Sequence, residues 1–230
     1  RQLGKTALLR DVERSYHNPP GHHIAVWCDL KAEGIGYNRS VDEIWPLIAS
    51  RLRKDVDSLA KLPSHTGPDR LLECVTQWID GNPQRRILLH LDEADRFLES
   101  DSKDGFIRCA KLKLPMDRTQ RRFKVVFAVL HNVQRATKDP NHPLAHFTTG
   151  LGEAICIGPL LQDGEWRDAR ALVEQPLASA GYRFESEDLV FRILSQTNYY
   201  PSLIQLYCSY LIQHVTDRQT LETFRNAPPY

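Results

Sequence analysis

Residues 86–93, RILLHLDE, constrain this chain most, because they form an apolar run that closes on two adjacent carboxylates, Asp92 and Glu93. Bounded by Pro83 and by those acidic residues, the run reads as a central strand. Residues 123–130, FKVVFAVL, form a second continuous apolar run, of the kind buried on both faces of a parallel sheet. HHIAVWCDL at 22–30 is rich in strand formers and gives a further strand ending at Asp29. Helical patterns lie between these strands. One covers 5–16 and is stopped by NPPG at 18–21. A second runs from Ser40 to about Asp57, opened by the capping-box spacing of Ser40 and Glu43, with Pro46 bending or delaying its first turns. A third covers 69–80 with Gly81 as its stop, and a fourth passes through 104–114. After a last short strand, AICI at 154–157, the chain carries no strand signal and gives helices at 164–179, 186–197 and 201–215. Strands alternating with helices, then helices alone, predict an α/β domain with a parallel sheet over 1–157 and a helical subdomain over 158–230.

The bulk composition permits such a core, with 230 residues of which 41% are hydrophobic. Thirty Lys and Arg against 29 Asp and Glu leave a formal charge of +1, so no charge excess asks for nucleic acid or an acidic membrane surface as partner. The five cysteines are odd in number and form no CxxC pair, which argues against a zinc site and a disulfide framework and fits a reducing cytoplasm. No apolar run approaches the roughly 18 residues that span a bilayer, and no signal-peptide pattern opens the sequence.

The candidate chemistry sits at two places. RQLGKT at the start supplies the last three positions of the phosphate-loop pattern GxxxxGK[ST] as Gly4, Lys5 and Thr6. The pattern needs glycine so that backbone N–H groups wrap the phosphates, lysine to reach the outer ones, and a hydroxyl for a magnesium ion. Its first glycine falls two positions before Arg1, so part of the motif and the strand that precedes such a loop are not in these residues. They therefore read as an excerpt of a longer protein, with a gap expected in the middle of the sheet. Leu3 to Ala7 are the candidate phosphate-binding segment, with Thr6 as magnesium ligand. The second place is the carboxylate pair, where an acidic residue at a strand end holds the same ion through water and a following glutamate serves as base for the attacking water. Asp92 and Glu93 fit those roles.

Other features carry less. Asn132, with Arg135 second, follows the apolar run at 123–130 where an outer-phosphate sensor belongs, but His131 and Asn132 as a loop cap with Arg135 as a surface charge explain the same residues. The basic cluster Arg118, Arg121, Arg122 and Lys124 lacks interleaved aromatics and reads as a solvated turn. His142 and His146 flank Pro143 with no third ligand nearby and read as loop residues. The letters DEAD at 92–95 stand without other helicase signatures.

RQLGKTALLR, LLHLDEAD, FKVVFAVLHNVQR, IGPL and TNYYPSLIQLYC occur in the order found in STAND-type signal-transduction ATPases, and nearly the whole chain resembles the bacterial members of that AAA+-related class. The resemblance implies a P-loop NTPase three-layer sandwich with a C-terminal helical lid, ATP or ADP with Mg2+ as cofactors, and Pro201 near the adenine. Pro201 also suits the first position of a helix, and the two readings are compatible. Asn198 and Tyr199 stand where the family has glycines. The resemblance further implies slow, switch-like ATP hydrolysis, self-association on activation, and flanking effector and sensor domains, in many relatives serving defence against phage. A replication-initiator-like ATPase with a DNA-binding domain, and a scaffold that binds nucleotide without turnover, are the alternatives.

Overall fold

The structure is a computed structural model and describes residues 4–60, 63, 67–129, 155, 157–161 and 164–215. It divides into two compact units, Lys5–Ile155 and a second made of Cys156–Tyr230 with Arg1–Gly4. In the α/β unit, α1 (Lys5–Tyr16) leads to β1 (His23–Asp29). Helices α2 (Ile44–Leu52), α3 (Asp57–Ala60) and α4 (Pro68–Asp80) follow, then β2 (Arg86–Asp92), α5 (Asp95–Lys103), α6 (Ile107–Arg118) and β3 (Phe123–Phe127). The helical unit holds α7 (Trp166–Ser179), α8 (Glu187–Gln196) and α9 (Pro201–Val215).

The three strands form a parallel sheet in the order β1-β2-β3, with Val26 beside Leu89 and Leu89 beside Val125. Strand side chains alternate between faces. Ile24, Val26 and Cys28 therefore share one face with Ile87, Leu89, Leu91, Phe123 and Val125, and these join residues of α2, α4 and α6 in a continuous buried core. The opposite face carries Trp27, His90 and Val126 in register, and α1 lies against its β1 and β2 portion. Over β3 that face is open enough to leave Val126 37% exposed. This is an α/β architecture compatible with a P-loop sandwich.

Several local expectations need correction. The three described strands are direct neighbours, and the expected gap, which needs a further strand beyond them, is not tested by these residues. Among the described residues β3 pairs only with β2. At 154–157, Ile155 and Ile157 are not in a strand, and the other two residues lie outside those described. The helix expected from Ser40 to Asp57 is divided. Ser40 caps a 3-10 turn, Val41–Glu43, by accepting from the Asp42 N–H at 3.2 Å, while Glu43 pairs with Arg39 instead of closing a capping box. The α-helix proper begins at Ile44, putting Pro46 in its first turn, where a missing N–H costs nothing. It stops at Leu52, and the following turn brings Val56 and Leu59 into the core.

The helix expected through 104–114 is α6, shifted to begin at Ile107, and a helix that was not expected, α5, precedes it. Helix α5 was hidden by its acidic composition but buries Phe97, Leu98 and Asp101. Its Asp101 is fully buried and receives the N–H groups of Arg108 (3.1 Å) and Cys109 (2.9 Å), so a residue of one helix caps the next. Arg108 also pairs with Asp104 and, through two bonds of 2.8 and 2.9 Å, with Asp42, whose carboxyl is held below its ordinary value mainly by that pairing. These contacts bind α5, α6 and the entry to α2 together. The strand expected over 123–130 ends at Phe127, with Leu130 outside the described residues.

Candidate functional site

Gly4 precedes α1 at φ +80, the left-handed region that glycine enters without penalty, and nothing lies within 4 Å of where its Cβ would be. Helix α1 has no acidic side chain in its first turn. Its leading N–H groups have no acceptor within the helix and carry the positive end of its dipole. Lys5 donates from Nζ to the carbonyl of Val129, 124 residues away, at 2.7 Å. Thr6 donates from Oγ1 to Asp92 Oδ2, 86 residues away, at 2.6 Å. Val129 lies just beyond β3 and Asp92 ends β2, so the start of α1 lies across the carboxyl ends of two parallel strands, where open α/β sheets hold ligands.

Asp92 is 1% exposed, and a buried carboxylate needs donors around it. It has three: the Thr6 hydroxyl, the N–H of Glu93 on Oδ1 at 2.9 Å, and the indole Nε1–H of Trp27 on Oδ2 at 3.3 Å. Glu93 adopts φ +51, a left-handed conformation that costs a non-glycine residue about 1–2 kcal/mol. The next N–H, of Ala94, donates to the Ala128 carbonyl at 3.1 Å and ties the turn to the end of β3. Two residues before Asp92, His90 is 1% exposed with no partner for its Nδ1 among the described residues, and burial pushes its imidazole below the ordinary value.

The structure thus brings Lys5, Thr6, Asp92 and Glu93 together, with Ala7 exposed on the same first turn. Leu3, Asn132 and Arg135 lie outside the described residues. Pro201 opens α9 as a first-turn proline in the helical unit, which is described by itself. Before it, Asn198 and Tyr199 take φ +46 and +57, the conformation that glycines would favour. The Tyr199 carbonyl accepts from the Leu160 N–H at 2.9 Å, joining the GPL segment to the turn before Pro201.

Trp27 is the site neighbour that sequence reasoning missed. An aromatic with an N–H, two positions before the end of a strand, was visible, but its pairing with Asp92 depends on the β1–β2 register. No cluster of three or more His, Cys, Asp or Glu capable of holding a metal occurs among the described residues. No family model, curated protein or solved structure matches this chain.

Proposed function

We propose that the chain is the nucleotide-binding module of a larger ATPase of the STAND type, in which ATP or ADP with Mg2+ sets the state of a signalling switch. The observation that carries this reading is the bond from the Thr6 hydroxyl to the buried Asp92 carboxylate, which joins a helix start preceded by a left-handed glycine to the acidic end of a parallel strand. A terminal helix contact alone has many uses. A hydroxyl and a carboxylate converging beside first-turn helix N–H groups and a lysine ammonium suit a phosphate and its hard cation together.

In this reading the first-turn N–H groups of α1 and Lys5 Nζ bind phosphate oxygens, Lys5 exchanging the Val129 carbonyl for them. Thr6 Oγ1 would ligate magnesium directly and Asp92 would hold the ion through water. Glu93, the residue after Asp92, would take the proton of an attacking water. The bound Mg2+ supplies charge neutralisation at the phosphates. Hydrolysis is slow, the bound nucleotide acts by its differential affinity for two forms of the protein, and flanking effector and sensor domains read that difference in the cytoplasm.

Titration of the protein with fluorescent ADP, with and without MgCl2, tests the first step. Lys5→Ala weakens binding by tenfold or more, on the order of a charge-assisted phosphate contact, and unchanged affinity sinks the proposal. Glu93→Gln leaves binding in place and abolishes turnover; an undiminished hydrolysis rate removes Glu93 from the role of base.

A further inference from the structure

We infer that Trp27 is a positioning residue for the magnesium-linked carboxylate, holding Asp92 Oδ2 through its indole N–H. The inference rests on the nucleotide-binding reading above and deepens it. Asp92 Oδ2 accepts from two side chains of different character. The Thr6 hydroxyl both donates and accepts, so it can turn its lone pairs to a cation. The indole N–H only donates and cannot become a ligand. Its bond at 3.3 Å is therefore the one that survives when Thr6 changes partner.

The ring itself is clamped. The Arg10 guanidinium lies 3.6 Å from its centroid, a cation–π contact. Arg10 Nη1 pairs with Glu13 Oε2 at 2.9 Å, and Glu13 Oε1 accepts the Trp27 backbone N–H at 3.1 Å. The sequence of contacts closes on itself: Trp27 backbone to Glu13, Glu13 to Arg10, Arg10 to the Trp27 ring. The helix that supplies Lys5 and Thr6 thus grips the strand residue that donates to Asp92. The same device occupies the outer edge of β1, where His17 Nδ1 accepts from the Ala25 N–H at 3.2 Å. Phenylalanine at position 27 would keep the ring under Arg10 and the backbone bond to Glu13, and would remove only the N–H.

The experiment compares wild type, Trp27→Phe, Asp92→Asn and the double variant for fluorescent ADP binding across a MgCl2 series and in EDTA, with thermal midpoints recorded for each. Trp27→Phe is expected to raise the Mg2+ concentration for half-maximal effect about fivefold, the net scale of one ordinary intramolecular hydrogen bond. Its affinity in EDTA stays within twofold of wild type. In the Asp92→Asn background the same change adds nothing, because the two residues act through one carboxylate. Adding Mg2+ and ADP also changes the wild-type tryptophan emission by a component absent from Trp27→Phe. Unaltered Mg2+ dependence in Trp27→Phe, equal losses with and without metal, or additivity with Asp92→Asn each overturn the inference while leaving the nucleotide-binding reading standing. A wild type whose ADP binding ignores Mg2+ overturns both. If Trp27→Phe fails to fold, Arg10→Met, which loosens the ring from outside, carries the same metal-specific expectation and the same refutation.

Discussion

The α/β unit and the helical unit are held together in different ways. In the first, one core runs from Ile24 to Phe123 and Val125, and the candidate site is closed by side-chain bonds spanning 86 and 124 residues. In the second, a much smaller core centred on Val173, Ile193, Leu194 and Ile204 joins three helices, and the polar bonds are mostly one helical turn long, such as Arg170 to Glu174. The outer side of α9 leaves Leu203, Leu206 and Tyr210 exposed at 45, 67 and 53%. The candidate site lies where long-range packing over-determines the positions of its residues.

The comparison can be broken at its strongest point, Asp101. Replacing it with alanine leaves the Arg108 and Cys109 N–H groups without their cap and Arg108 with one carboxylate fewer, at an expected cost of about 3–5 kcal/mol. Hydrogen exchange should rise through α5 and α6 and leave α7 to α9 unchanged; equal exchange in both units would show that they unfold as one. The reciprocal change, Leu194→Ala, removes a fully buried side chain from the small core and should cost about 2–3 kcal/mol. Its exchange signature belongs in α7 to α9.

A smaller effect distinguishes strain that serves the site from strain that does not. Glu93→Gly and Asn198→Gly both relieve a left-handed non-glycine residue, for a gain of up to about 1 kcal/mol each by thermal or urea unfolding. Only the first should abolish hydrolysis. Loss of turnover in Asn198→Gly as well would place the helical-unit turn inside the chemistry.

The smallest expected effect is in the acid limb of stability. The folded pKa of His90 is depressed by burial, so the unfolded chain takes up this proton first as pH falls. Its contribution is complete above the unfolded value, about 6.5, and is lost as pH drops through the folded value. His90→Leu should remove up to one proton from the pH slope of unfolding between those limits. An unchanged slope would mean that His90 is charged in the folded protein.

Much of the fold was legible because it rests on local or periodic signals. The apolar runs gave β1 and β2 within a residue or two at each end, and amphipathic spacing gave α1, α4, α7, α8 and α9. Helix α5 was not legible, since its first turn and exposed side are acidic and its buried face is short. The break after Leu52 was equally hidden, being set by the need to bury Val56 and Leu59 together with α4.

For the candidate site, the sequence by itself determined the chemical types: glycine, lysine and threonine at a helix start, aspartate and glutamate at a strand end. Local order suffices for that, because helix starts and strand ends are written within a few residues. Tertiary structure decided which of them meet. The parallel register that sets Trp27 beside His90 also put its indole within reach of Asp92, and the lie of α1 across the strand ends brought Thr6 to the same oxygen. Register and helix placement follow from packing the whole core, so residues 65 and 86 positions apart become partners only when that core has formed.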